Sequence, residues 1–239
     1  LNPEKYAPVI KIGDCECPPD KQSACVESCI FDAIKKDEDG TITIDKDLCT
    51  GCHACIDSCK SEKLTASRDI LPAMYAVRNS KGPAYDLIAP AFLGQFSKDV
   101  TPGKLRTAFK KLGFAGMIEV ALFADILTLK EALEFDKNIV DESDFQLTSC
   151  CCPMWIGMIR KVYHELMPHV PGAVSPMIAC GRTIKVLHPD AVTVFIGPCL
   201  AKKAEAREKD IADAVDYVLT FQEVRDIFDA AGIDPAQLE

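Results

Sequence analysis

Long apolar runs are missing from this 239-residue chain: none approaches the roughly 18 to 20 residues that cross a bilayer, so no membrane span is expected. No basic-then-apolar leader opens the sequence. Its first residue is Leu1 rather than Met, so the native start is expected to be processed, trimmed or missing. Net positive charge is lacking too. Against 36 acidic residues stand 27 basic ones, and the resulting −9 argues against a nucleic-acid partner. Cysteine is absent between Cys59 and Cys150, although the chain holds 13 of them. Disulfide-stapled secreted proteins are usually small and Cys-dense throughout. Two tight groups separated by a long gap point instead to thiolates arranged for metal. The expected setting is the reducing cytoplasm of an anaerobe.

The first group carries Cys49-Thr-Gly-Cys52-His-Ala-Cys55-Ile-Asp-Ser-Cys59. Three thiolates separated by two residues each can wrap three corners of a cubane, and the fourth, three residues further on, points to another cluster. The upstream partner run is irregular. Cys25-Val-Glu-Ser-Cys29 keeps the last step, and Cys15 and Cys17 stand in for the first two ligands. Cross-ligation then assigns Cys15, Cys17, Cys25 and Cys59 to one 4Fe–4S cluster and Cys29, Cys49, Cys52 and Cys55 to the other. The insertion Pro18-Pro19-Asp20 could instead host a three-cysteine cluster with a non-cysteine fourth ligand. Asp39-Gly40 followed by Thr41-Ile42-Thr43-Ile44 signals a hairpin. Residues 1–65 thus resemble an α+β two-cluster ferredoxin domain, with Ile30 and Lys60 where that family usually has Pro. His53 inside the loop reads as a solvated side chain, with a potential-tuning role as the alternative.

Residues 66–84 read as a linker punctuated by Pro72, Gly82 and Pro83. Strands and helices then alternate over 85–239. Strands are expected at 85–89, 116–121, 191–196 and 215–219, and helices at 102–112, 123–135, 155–167, 177–187 and 221–231. Thr101, Pro102 and Gly113 are cap, first-turn and stop signals. Leu127, Ala132 and Phe135 would share a helix face. Strands spaced by helices imply an α/β domain with a mainly parallel sheet, whose ligands sit beyond the carboxyl ends of the strands. Pro90 and Cys199 fall there.

Two cysteine patterns mark this second domain: Thr148-Ser149-Cys150-Cys151-Cys152-Pro153-Met154-Trp155 and Gly197-Pro198-Cys199-Leu-Ala-Lys202-Lys203-Ala-Glu205. Thiols just before a helix start are favoured as thiolates. The competing reading is buried free cysteines acting as small hydrophobes. Both patterns resemble signature motifs of the iron-only (FeFe) hydrogenases. Supporting segments are Ala89-Pro90-Ala91, Lys110-Lys-Leu-Gly-Phe114, Phe123-Ala-Asp125, Glu131-Ala-Leu-Glu134-Phe135 and Asp216-Tyr-Val-Leu-Thr220.

The resemblance implies an H-cluster, a cubane joined through one cysteine to a di-iron unit carrying CO and cyanide. It implies that Cys152 and Cys199 ligate the cubane and that Cys151 is the first proton carrier. It implies that Lys202 bonds a cyanide, that Glu205 orients the motif, and that Ala89, Pro90 and Pro198 line the di-iron pocket. Glu131 and Glu134 would lie on a proton path, a solvated helix face being the plain alternative; Lys203 is equally able to be the surface lysine. The sequence departs from the pattern in four places. The first motif has three cysteines, so anchoring on Thr148 would shift the roles to Cys150 and Cys151. Gly197 replaces a Met, and Pro171 stands where a proton-path Ser is expected. The third family motif, with two further cubane cysteines, does not occur before Glu239, so the domain is expected to be incomplete at its C-terminus. Cys150 and Cys180 are spare thiols that could complete a plain third 4Fe–4S cluster.

Three functions follow from these readings. The leading one is reversible H2 oxidation and proton reduction, with electrons relayed through two 4Fe–4S clusters to a protein partner such as a ferredoxin or a redox subunit. The others are a hydrogen or redox sensor and a non-catalytic electron-transfer subunit, with a cluster-assembly relative as a further option. The oligomeric state is open.

Overall fold

The computed structural model describes residues 7–15, 17–18, 22–147 and 151–239. Cys150, Thr148 and Ser149, with Pro19 and Asp20 of the insertion, lie outside the described residues. In chain order the elements are β1 (Val9–Lys11), α1 (Ala24–Glu27), β2 (Ile34–Lys36), β3 (Ile42–Ile44), α2 (Ala54–Ser58), β4 (Leu64–Ala66), α3 (Ile70–Asn79), β5 (Ala84–Ile88), α4 (Pro102–Leu112), β6 (Gly116–Glu119) and α5 (Ala121–Asn138). They continue with α6 (Pro153–Lys161), α7 (Pro176–Leu187), β7 (Val192–Gly197), α8 (Ala201–Glu205), β8 (Tyr217–Thr220) and α9 (Phe221–Ala231).

These elements sort into two compact units. The first holds the residues up to Ser67 together with 152–168 and 200–207. In it β1 pairs antiparallel with β4, Val9 opposite Ala66, and β2 with β3, Ile34 opposite Ile44. The Asp39-Gly40 turn forms as the sequence indicates: Asp37 donates its N–H to the Thr41 carbonyl at 2.9 Å, and Gly40 takes φ 86°, where a side chain would be strained. Strands of three residues are marginal by themselves. Their apolar faces close on a core that includes Cys25, Cys49 and Cys55 as well as Val9, Phe31 and Ile34. Leu200, far along the chain, is buried in the same core.

The second unit is built on a four-stranded sheet in the order β6-β5-β7-β8, every neighbouring pair parallel. Parallel strands covered by helices read as continuous apolar runs. Leu87, Ile88, Val194, Ile196 and Leu219 are accordingly buried. Helix α4 begins where its cap indicates, with Lys104 N donating to Thr101 Oγ1 at 3.3 Å, and stops at Gly113 with φ 107°. Thr220 and Glu223 form a reciprocal capping box on α9, and Glu223 also accepts the Asp69 N–H at 2.9 Å, which ties the start of α3 to α9.

Three expectations fail here. Residues 66–84 are no linker, because α3 occupies ten of them and buries Ala73 and Val77. The helix expected over 155–167 ends at Lys161, and a separate 3-10 turn, His164–His169, holds Pro168. Ala132 and Phe135 are exposed and do not share a buried face with Leu127.

Asp86, in the centre of β5, opposes Met117 and Val194 in register. It is 0 % exposed, and neither carboxyl oxygen has a hydrogen-bond partner among the described residues. Burial pushes its pKa well above the usual carboxylate range, tempered by its own backbone N–H and by Arg106. The carboxyl therefore stays neutral in the folded chain after it ionises in the unfolded one, and stability falls as pH rises above the ordinary carboxylate range. Asp86→Asn removes that dependence. Thermal melts between pH 4 and 8 should show a variant midpoint that exceeds wild type increasingly towards pH 8, at roughly 2–4 °C per kcal/mol for a chain of this size. A constant difference across the range would contradict the assignment.

Candidate metal centre

The eight N-terminal cysteines fall into two neighbourhoods. Cys29, Cys49, Cys52 and Cys55 line one pocket with Val9, Phe31, Ala33 and Ile34; it encloses about 280 Å3, the open solvent at its mouth included. Burial drives the Cys55 thiol up to about 12, helped by the charges of Cys49, Cys52 and Cys29. Cys49 is raised by burial too, although the N–H groups of Gly51 and Val9 reach its sulfur and oppose the shift. In the other neighbourhood Cys25 is raised by burial and then by Cys59, Cys15 and Cys17. Cys15 is raised by burial, with Lys11 opposing and Cys17 and Cys59 adding. Cys59 is the exception: burial raises its pKa, but donors led by the Lys63 N–H at 3.4 Å carry it below the ordinary thiol value. These are the two sets that cross-ligation groups from spacing. The first set faces an apolar pocket with N–H donors at the Cys49 sulfur, and the second has donors at the Cys25 and Cys59 sulfurs; four thiols are the donor set that a 4Fe–4S cage takes, whose potential responds to such hydrogen bonds.

The loop Cys49–Cys52 is shaped by helices from elsewhere in the chain. Gly51 has φ 74°, and a Cβ there would lie 3.0 Å from the Ala201 Cα in α8. Gly157 in α6 faces Thr50 so closely that an added Cβ would sit 2.9 Å from Thr50 Cγ2. Thr50 Oγ1 donates to Met154 Sδ at 3.4 Å, and Lys161 Nζ donates to the carbonyls of Asp47 and Leu48 at 3.0 and 2.9 Å. Sequence reasoning missed Gly51 and Gly157 as contact points. A glycine in the middle of helix α6 was the available signal, since it costs helix stability unless something must approach. His53, with φ 58°, lines the pocket, and its Nδ1 lies 2.9 Å from the Asp57 carboxylate.

The later motifs fall where strands and helices begin or end. Cys152 is the N-cap of α6, with Pro153 in the first turn, and its side chain is exposed. Cys151 is exposed, and Cys199, two residues past β7, is half-buried. Ala89 and Gly197 are buried at the ends of β5 and β7, whereas Pro90 and Pro198 are exposed. Lys202 pairs with Glu205 at 2.6 Å, both side chains 11 % exposed. Lys203, which was equally able to be the surface lysine, is 1 % exposed and donates to the Ser67 carbonyl at 2.8 Å. Glu131 and Glu134 are half-buried and not on a fully solvated face; Glu134 accepts the Gly172 N–H at 2.8 Å. Cys180 is a fully buried thiol of α7, pushed to about 12 by burial alone. That is the small-hydrophobe environment rather than a shared cage.

Residues 83–239 match the family model of the iron-only hydrogenase large subunit, C-terminal domain. The chain belongs to the iron-only hydrogenase family. Residues 42–62 also match a 4Fe–4S binding domain, so this hydrogenase-family chain is an iron–sulfur protein with 4Fe–4S clusters as its cofactors. It is 30 % identical over 197 residues to iron hydrogenase 1 of Clostridium pasteurianum, covering 77 % of this chain and 33 % of that one. The cytosolic Fe–S cluster assembly factor NAR1 of Kluyveromyces lactis is 32 % identical over 87 residues, 36 % of this chain and 19 % of that one. Among solved structures, an [FeFe]-hydrogenase HydA1 variant from Chlamydomonas reinhardtii aligns with TM-score 0.64 at 25 % identity, over 72 % of this chain and 50 % of that one. The chain therefore spans a third to a half of these hydrogenases and about a fifth of NAR1. Among the described residues no helix is long and apolar enough to cross a membrane.

The two neighbourhoods make the ligand grouping testable one cysteine at a time. Cys29→Ser should disturb the same reduced-cluster electron-paramagnetic signal as Cys52→Ser, although Cys29 is close in sequence to Cys25. Cys59→Ser should disturb the same signal as Cys15→Ser. Pairing of Cys29 with Cys25 in these spectra would refute the grouping.

Proposed function

We propose that the chain is the electron-relay and partial active-site portion of a hydrogenase that interconverts H2 with two protons and two electrons. The observation that carries this reading is the packing of α6 and α8, which follow the two hydrogenase-like cysteine motifs, onto the ferredoxin-like core around Thr50, Gly51 and Leu200. Cys152 belongs to the same compact unit as the ferredoxin-like cysteines. An H-cluster, when bound, would supply the redox chemistry of hydrogen.

The chain's own residues would do the rest. Cys15, Cys17, Cys25 and Cys59 would hold one relay cluster, and Cys29, Cys49, Cys52 and Cys55 the other, with electrons passing to and from a protein carrier. Cys152 and Cys199 would ligate iron. Cys151, exposed beside Cys152, would hold the first proton, and Glu131 and Glu134 would carry it onward. Two solved variants of the Chlamydomonas relative are substituted at glutamates three residues apart, the spacing of Glu131 and Glu134. Lys202, oriented by Glu205, would present its ammonium to an anionic ligand, a charge-assisted contact. Ala89, Pro90 and Pro198 would form the pocket wall.

One feature favours a second reading, a non-catalytic electron-transfer or cluster-assembly protein. A Cβ added at Gly197 would meet the Phe195 ring at 2.7 Å and the Ala89 Cβ at 3.0 Å, so the end of β7 admits no larger side chain beside Ala89. Resemblance to NAR1 points the same way.

Infrared spectra of the chain after anaerobic maturation separate the two. The hydrogenase reading requires bands of metal-bound CO and cyanide together with H2 evolution from a reduced dye. Cys151→Ser should then lower turnover by roughly 10²-fold or more, with the relay-cluster signals unchanged. A chain with both relay clusters intact and no such bands would sink the hydrogenase reading and leave the second one.

A further inference from the structure

The two ferredoxin-like cysteine runs repeat at a spacing of 30 residues. Ser23-Ala-Cys25-Val-Glu-Ser28-Cys29 aligns with His53-Ala-Cys55-Ile-Asp-Ser58-Cys59. The backbone follows the repeat: α1 and α2 begin at Ala24 and Ala54, the carbonyls of Ser23 and His53 each accept two N–H groups of the helix that follows, and Asp32 and Glu62 take φ 52° and 53°. The side chains depart from it in two places. Cys29 is followed by Ile30 and Phe31, but Cys59 by Lys60 and Ser61. His53 precedes α2, but Ser23 precedes α1.

Both departures bring a hydroxyl to the thiols Cys15, Cys17, Cys25 and Cys59. Ser61 Oγ lies 3.7 Å from Cys59 Sγ. A thiolate on iron carries no proton, so the hydroxyl is the donor. Ser23 is 2 % exposed, its Oγ caps no helix N–H, and it has no hydrogen-bond partner among the described residues. An enclosed hydroxyl without a partner is costly. Its counterpart in the repeat, His53, lines the pocket of Cys29, Cys49, Cys52 and Cys55, which sets position 23 against the space that the first four thiols share. A cage there offers the missing acceptor as thiolate or sulfide. The second set has no such pair of donors. Phe31 is buried, the His53 ring is 62 % exposed with Nδ1 on Asp57, and Thr50 spends its hydroxyl on Met154.

We propose that the hydroxyls of Ser23 and Ser61 make the cluster of Cys15, Cys17, Cys25 and Cys59 the more easily reduced of the two, so that the first electron delivered to the chain rests there. The proposal rests on the cluster grouping and not on hydrogen chemistry. Each cage takes one electron from the protein carrier, with no covalent bond made or broken, and gains one negative charge. An O–H proton aimed at sulfur stabilises that charge. Backbone donors do not cancel the difference: Cys49 receives the N–H groups of Gly51 and Val9, and Cys59 those of Lys63, Leu64 and Ser61. Solvent access acts in the same direction. Of the first four thiols only Cys25 is buried, whereas both Cys49 and Cys55 are buried in the second set.

The test is a mediated potentiometric titration of the anaerobic, iron-loaded chain with dithionite, read by electron paramagnetic resonance. Cys59→Ser and Cys52→Ser first assign the two reduced signals, so a failure of the grouping shows before any hydroxyl is removed. The signal that depends on Cys59 should appear at the higher potential. Ser61→Ala and Ser23→Ala should each move it to lower potential, and the double variant further. Ser61→Thr, which keeps the hydroxyl, should return it towards wild type, with the Cys52-dependent signal in place throughout. Iron content and circular dichroism verify that each variant is loaded and folded, and the order of the two signals in wild type needs no variant. The Cys52-dependent signal appearing first, an unmoved midpoint in either alanine variant, or an equal shift of both signals would each overturn the assignment.

Discussion

A buried thiol is costly to ionise, and several thiols sharing one pocket make it worse, until iron takes the charge. Cys25, Cys49 and Cys55 are buried, and burial with their neighbours' charge pushes each above the ordinary thiol value. Iron reverses the balance, since a metal-bound thiol is deprotonated outright. On the proposed reading the rest of the first unit depends on that exchange. Its strands are three residues long and its two small sheets have two strands each, so hydrogen bonding alone cannot hold it. Cys25, Cys49 and Cys55 belong to the buried core itself, so cages held by these thiols would stand in for part of it. Metal binding and folding are then one process.

The same core explains why the chain does not divide at the end of its ferredoxin-like segment. Leu200 is buried beside the cysteines, Gly51 lacks a side chain because Ala201 is there, and Gly157 lacks one because Thr50 is there. Helices that begin just after Cys152 and Cys199 are thereby fixed to the loop that carries Cys49 and Cys52. Buried Lys203, donating to the Ser67 carbonyl, adds a directional tie that a nonpolar contact could not give. The parallel sheet, by contrast, is held by ordinary apolar burial, with Asp86 as its one fully buried carboxyl lacking a hydrogen bond among the described residues.

Much of this was legible in the sequence because the signals are local. The C-x2-C-x2-C-x3-C run from Cys49 to Cys59 reads as a cluster motif from spacing, and residues 42–62 match a 4Fe–4S binding domain. Thr101, Pro102 and Gly113 bounded α4 to the residue, because caps act within one turn. What could not be read was non-local. The helix Ile70–Asn79 hides behind a Pro72 that reads as a breaker but sits in its first turn, where no backbone donor is lost. That Lys203 and not its neighbour is the more deeply buried lysine depends on Ser67, 136 residues away. The orientation of α5 was unreadable for a different reason. Its glutamates and leucines alternate at helical spacing, which fixes two faces but not which one meets the body.

The most direct measurement is hydrogen exchange on the anaerobic chain before and after iron is removed with a chelator. If the cages serve as the core of the first unit, residues 153–161 and 201–205 lose protection together with 49–59, while the strands at 84–88 and 192–197 keep theirs. Retention of protection in 153–161 after the iron has gone would contradict the dependence of that unit on its thiolate cages.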